Sequence, residues 1–262
     1  MGADAESRTG VGRDRTPPGV ARGDAPTLDE LRRRMAAIPG RGAAAAERIP
    51  LGSELRRESL AVPPALAELL PDGGLAKGSV VAYNGTSSLL AGLLAAVTEG
   101  GGHAAVVGVP RLGLLAAVEM GAQLQRLAVV ADPGPDPVEV AAVLLDGLDL
   151  VVLGLGGVAV PPARARVIAA RTRNKGATLV VTNGGWANPS LRLDTRVAGY
   201  AGLGAGRGRL RSVCLEVDVR SKAGPPRRGR IALRPRAGRV EWVSLETLDA
   251  TVETPDTRGA AS

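Results

Sequence analysis

Ser79-Val-Val-Ala-Tyr-Asn84, followed at once by Gly85-Thr86-Ser87-Ser88-Leu89-Leu90, is the stretch that decides the fold. A short apolar run breaks at a glycine and passes directly into an apolar helix over 87–98, which Gly100-Gly-Gly102 ends. Working outward, the same alternation repeats. Strands are predicted over 103–109, 127–131, 149–153 and 177–182, and helices over 112–125, 137–145 and 162–174. A further short helix over 64–70 is stopped by Pro71-Asp72-Gly73-Gly74. Short, continuously apolar strands that alternate with helices predict an α/β fold: a mostly parallel sheet covered by helices on both faces. Beyond Leu191 the pattern changes. Strands over 191–197, 210–219, 230–235 and 239–245 follow one another without helices, which predicts antiparallel hairpins on the sheet's edge.

The rest of the chain divides by composition. Residues 1–26 lack apolar periodicity and read as a disordered tail. Residues 27–62 hold a short helix over 28–38 and a linker. Thr27 and Glu30 form a capping box, and Leu28, Leu31, Met35 and Ile38 make one apolar face. Such a short helix must dock to be stable, either on its own chain or on a neighbouring protomer. Residues 63–246 form the folded domain, and 247–262 a second disordered tail. No apolar run approaches the ~18 residues of a membrane span, and the N-terminus has no basic-then-apolar signal, so the expected location is the cytoplasm.

Composition removes much conventional chemistry. One cysteine, Cys214, excludes an internal disulfide and a cysteine zinc site, and is expected to be a small buried residue. One histidine, His103, lacks co-ligands in the sequence and reads as structural. The four aromatics (Tyr83, Trp186, Tyr200 and Trp242) supply a poor platform for stacking bases. Charge is the positive clue. Between Arg164 and Arg239 there are 18 Lys and Arg against three acids, whereas the remainder of the chain is acidic by eight charges. Arginine outnumbers lysine 30 to three, which a GC-rich genome explains; composition bias does not explain the segregation. A bipolar molecule steers its basic half toward a polyanion or an acidic protein face.

Ligands of an open α/β sheet collect at the carboxyl ends of its strands, where Gly85-Thr86-Ser87-Ser88 stands in the position of a phosphate-binding loop. A working loop needs a second glycine, a lysine and a hydroxyl at fixed spacing. Counted from Gly85 those places hold Leu90, Ala91 and Gly92, and no lysine lies between Lys77 and Lys175. The strand over 149–153 runs into Gly154-Leu-Gly-Gly157 without a carboxylate for magnesium, and Asp149 lies at its other end. The 103–109 strand is followed by Pro110-Arg111, with no carboxylate to activate water. The loop reads either as an ordinary capped turn or as a weak anion site on a helix N-terminus. No catalytic residue, metal or cofactor is expected.

Three segments carry a resemblance. Leu70-Pro-Asp-Gly-Gly-Leu75-Ala-Lys-Gly78-Ser-Val-Val-Ala-Tyr-Asn-Gly85 resembles the entry to the RecA recombinase core. Arg192-Leu-Asp194-Thr-Arg196-Val-Ala-Gly199 resembles the strand after RecA's second DNA-binding loop. Val219-Arg220-Ser-Lys222-Ala-Gly-Pro225-Pro-Arg227-Arg228 resembles its basic loop between two late strands. An arginine-rich, aromatic-poor chain with a degenerate phosphate loop resembles ImuA, the RecA-like accessory family of the bacterial mutasome, in its actinobacterial form. That resemblance implies a RecA-like core over about 64–245 and a role in damage-induced, error-prone translesion synthesis. The implied partners are a Y-family polymerase-like adaptor (ImuB) and an error-prone C-family polymerase.

The candidate binding residues are therefore Arg220, Lys222, Arg227, Arg228 and Arg230 around the Pro225-Pro226 turn, for phosphate or an acidic partner. The competing reading is a solvated turn. Trp186, in Gly184-Gly-Trp186-Ala-Asn188, is either an exposed loop anchor or folded back on the core, and Trp242 reads as core. The expected function is a non-catalytic scaffold in translesion synthesis. The alternatives are an atypical NTPase using Thr86, Ser87 and Ser88, and a direct DNA-binding protein.

Overall fold

The computed structural model describes residues 58–204 and 207–245. The expected helix over 28–38 and both tails lie outside the described residues. The last residues of the expected linker are built into the fold: β1 (Ser59–Leu60) pairs with β2 (Leu75–Ala76), and Leu60 is buried.

The core then follows the expected alternation. It comprises α1 (Pro64–Ala67), β3 (Val80–Asn84), α2 (Ser87–Glu99), β4 (Ala104–Val107), α3 (Leu114–Glu119) and β5 (Leu127–Val130). α4 (Pro137–Leu144), β6 (Leu150–Gly154), α5 (Pro162–Lys175) and β7 (Thr178–Thr182) complete the alternating part. The chain ends in four consecutive strands: β8 (Leu191–Gly204), β9 (Arg207–Ser221), β10 (Arg227–Arg236) and β11 (Arg239–Ser244). Nine strands form one sheet in the order β11-β10-β9-β8-β3-β7-β6-β4-β5. Neighbours from β8 to β5 run parallel, and β8 through β11 are antiparallel. The architecture is an α/β fold consistent with a RecA-like core.

Alternation along each strand divides the core into two layers. Val81, Tyr83, Val106, Val152 and Val180 face the apolar side of α2, where Leu89, Leu93 and Leu94 are fully buried. Val80, Val107, Val151, Leu153 and Val181 face the opposite way, under α4 and α5. The first layer continues beneath the antiparallel strands through Leu193, Leu215, Val217 and Ile231. Their other face leaves Arg192, Arg196, Arg220, Arg228 and Arg230 exposed.

Several boundaries differ from expectation. The predicted helix over 112–125 is only α3, followed by a turn and a 3-10 segment (Leu124–Arg126). Gly121, at φ +105°, occupies a backbone region that ends a helix at little steric cost. The 64–70 helix is shorter, because Glu68 to Leu70 tighten into turns. β8 and β9 are each roughly two and a half times the length of the ~5–6 residue mean strand, since they pair with one another beyond the reach of the sheet. Cys214 is half-buried rather than fully inside.

Candidate functional site

At the carboxyl end of β3 the turn into α2 is closed by a threonine from β8. The Tyr83 side chain is buried beneath it; its hydroxyl donates to the Thr86 carbonyl and shares a 2.7 Å hydrogen bond with the Thr195 hydroxyl. The Thr86 N–H donates to the same Thr195 Oγ1 at 3.0 Å. Gly85, at φ +144°, packs so closely that a Cβ there would lie 2.1 Å from Thr195 Oγ1. A phosphate cradle presents free backbone N–H groups to its anion. Here the first of them is already spent on Thr195. Thr86 occupies the N-cap position, but its side chain makes no cap hydrogen bond; Ser88 donates to it instead at 3.0 Å, and Ser87 is exposed. Burial pushes the Tyr83 phenol above its usual range, against the opposing pull of its hydrogen bonds to Thr195 and Thr86, with the Asp194 charge adding to the rise. The hydroxyl therefore stays protonated.

The places of the missing lysine and hydroxyl are structural. Ala91 is 1% exposed against Ala117, and a Cβ on Gly92 would lie 2.3 Å from the Trp242 ring. Between β4 and β6, where nucleotide chemistry would gather carboxylates, Gly108 and Gly154 touch backbone to backbone; a Cβ on Gly154 would lie 2.3 Å from the Gly108 carbonyl oxygen. Asp149 sits at the opposite end of β6, buried, accepting the His103 N–H at 2.9 Å. Among the described residues no cluster of three or more His, Cys, Asp or Glu has metal-holding geometry.

The five basic residues expected around the Pro225-Pro226 turn separate into two groups. Lys222 donates to the Asn188 carbonyl at 3.0 Å, and Arg227 donates to the Leu70 carbonyl at 3.3 Å. Both tie the turn to the body of the domain through one donor each. Arg220, Arg228 and Arg230 lie on the open face, where strand alternation adds Arg192 and Arg196. The rows read Arg192 opposite Arg220, then Asp194 beside Asp218 and Arg228, then Arg196 beside Glu216 and Arg230. Arg196 meets Glu216 at 2.5 Å, Arg228 meets Asp218 at 2.6 Å, and Arg220 meets Asp194 at 3.5 Å. Arg192, Arg230 and Arg234, which lies on the same face of β10 beyond Ala232, make no ion pair among the described residues. Exposed pairs of this kind contribute at most about 1 kcal/mol each. Their importance is the field: the face keeps a positive excess that its own acids do not cancel.

Trp186 is 6% exposed and packs in the second core layer with Leu155 and Val160, which overturns its reading as an exposed anchor. The loop folds back because Gly184 and Gly185 lie against Leu155 and Ala159, and Gly185 bridges to Ala159. Trp242 packs against the first layer, and its buried indole N–H has no hydrogen-bond partner among the described residues. Sequence reasoning missed Thr195, Arg192, Arg196 and Arg234. The arginines carried a readable signal, since Leu191, Leu193 and Thr195 alternate with Arg192, Asp194 and Arg196. Thr195 carried none, because its contact with Thr86 spans 109 positions.

Comparison with known proteins places this geometry in a family. Residues 68–188, which run from the end of α1 to the loop holding Trp186, match the model of the MT3502 N-terminal domain. Over 204 residues the chain is 48% identical to the uncharacterized protein Rv3395c of Mycobacterium tuberculosis, strain H37Rv, covering 74% of this chain and 92% of that protein. No helix among the described residues is long and apolar enough to cross a membrane. The closed turn and the arginine face thus belong to a chain that is a member of the Rv3395c family.

Proposed function

We propose that this protein is a non-catalytic RecA-like accessory subunit, a scaffold in damage-induced, error-prone translesion DNA synthesis. The observation that carries the non-catalytic half is the Thr195 hydroxyl, which takes the Thr86 N–H at 3.0 Å inside the turn where a nucleotide phosphate would lie. The lysine position is buried as Ala91, and the β4–β6 crevice is shut by Gly108 and Gly154. The polymerase half rests on the resemblance to ImuA, whose implied partners are a Y-family polymerase-like adaptor and an error-prone C-family polymerase. A second reading, direct contact with DNA, is favoured by Arg192, Arg230 and Arg234, which form no ion pair among the described residues.

Nucleotide binding and single-stranded DNA binding by the purified protein, measured side by side across a salt series, test both halves. The scaffold reading expects no magnesium-dependent ATP binding. Tight ATP binding would sink it. Restoration of damage-induced mutagenesis when the gene is returned to a deletion strain tests the pathway; unchanged mutation frequency in the deletion strain would remove it.

A further inference from the structure

β8 and β9 outrun the sheet. β3 leaves β8 at Asp194, and β10 leaves β9 at Val213. From there the two strands continue as a ribbon, with bulges at Val197/Gly199 and Ala201/Leu203. Its outer edges carry backbone N–H and C=O groups with no sheet neighbour among the described residues. The ribbon also exposes apolar side chains: Val197 is 39% exposed, Leu210 48% and Tyr200 60%. From Val197 to Ser212 the sequence contains no acid, while Arg209 and Arg211 are exposed. Where β10 parts from β9, a hollow of about 690 Å³ opens between Pro235 and the ribbon. Gly202 and Gly208 line it together with Arg209, Leu210 and Arg211.

We propose that this ribbon is the docking edge for a partner protein, which lays an extended segment of alternating acidic and apolar residues along β9 in that hollow. Free strand edges supply main-chain pairing, the arginines select acidic side chains, and Leu210, which alternates with Arg209 and Arg211 along β9, receives the apolar ones. A polynucleotide would use the arginines alone. It has no use for a strand edge or for aliphatic side chains, and Tyr200 is a single stacking surface where strand binding needs several. The inference rests on the scaffold reading in taking a protein as the ligand.

The test pans a random peptide library displayed on phage against the full-length protein at low salt. The selected peptides are expected to alternate acidic with apolar residues, and to bind R209E/R211E at least about tenfold more weakly. L210S, a change at a half-exposed position, is expected to weaken them without altering the charge. Peptides without acids, or the same peptides selected equally well on R209E/R211E and L210S, would overturn the proposal. Displacement of the peptides by a labelled oligonucleotide would reassign the ribbon to nucleic acid. Peptides that bind only after Glu246, Asp249, Glu253 and Asp256 are changed to amides would show that the chain's own tail is the occupant, which also overturns it. Each of these failures leaves the scaffold reading standing, since that reading is tested separately by ATP binding and by mutagenesis in the deletion strain.

Discussion

Thr195 acts at the scale of one hydroxyl, and its contribution is separable from that of the strand that carries it. It is 8% exposed and serves both Thr86 N–H and Tyr83 OH. T195V keeps the shape and leaves the Thr86 donor without its acceptor, so about 1–3 kcal/mol of stability should be lost in urea unfolding. Tyr83 predicts a pH dependence. Its phenol titrates higher in the folded state, chiefly because it is buried, so above about pH 10 the unfolded chain gives up this proton first. Stability from this group is complete below that pH and is lost as pH rises through the folded value. Y83F should remove that alkaline decline while costing the hydrogen bonds at neutral pH. A thermal-melting series across the alkaline range reads both effects.

Ala91 corrects an expectation that looks natural from the linear motif. Putting the missing lysine back would not rebuild a phosphate loop, because residue 91 faces α3 inside a small-residue contact with Ala95 and Ala117. A91K buries an ammonium there, and is expected to destabilise the fold by several kcal/mol with no gain of ATP affinity. Urea unfolding and nucleotide titration of the variant check the two halves separately.

At the scale of elements, α2 approaches β11 closely because residue 92 is glycine, and Trp242 fills the space a side chain would take. G92A should cost about 1–3 kcal/mol through overpacking, read as a lowered Tm. The β9–β10 turn predicts a separation of roles that its run of basic residues conceals. Lys222 and Arg227 hold backbone carbonyls, so K222A and R227A should lower stability modestly. Arg192, Arg230 and Arg234 stabilise little, so their reversal to Glu should leave Tm nearly unchanged. If the face contacts DNA, that reversal lowers both the affinity and the slope of log K against log salt. An unchanged slope would remove this face from the DNA account. Strand alternation made these faces legible in principle. The run Arg227-Arg228 does not say which of the two points inward until the pairing of Arg228 with Asp218 sets the register.

Over the whole molecule, the charge asymmetry and the element order were both readable from the chain. Short apolar strands that alternate with helices can bury both faces only as a covered parallel sheet, and four strands without intervening helices must pair as hairpins. These are local and periodic properties, set by where apolar residues recur. The departures from the phosphate-loop motif were readable for a similar reason, since a lysine absent from a spaced motif is absent in any fold. Tertiary structure alone decided what surrounds those positions. Thr195 enters the Gly85 turn from the neighbouring strand, Gly108 meets Gly154 across two strands, and Trp186 turns into the core. Tertiary structure likewise divided one run of basic residues between a structural tie and an open face, and carried β8 and β9 beyond the sheet. Each of those outcomes depends on a contact between residues far apart in sequence. The energy of such a contact exists only once the sheet order and register have brought the two together.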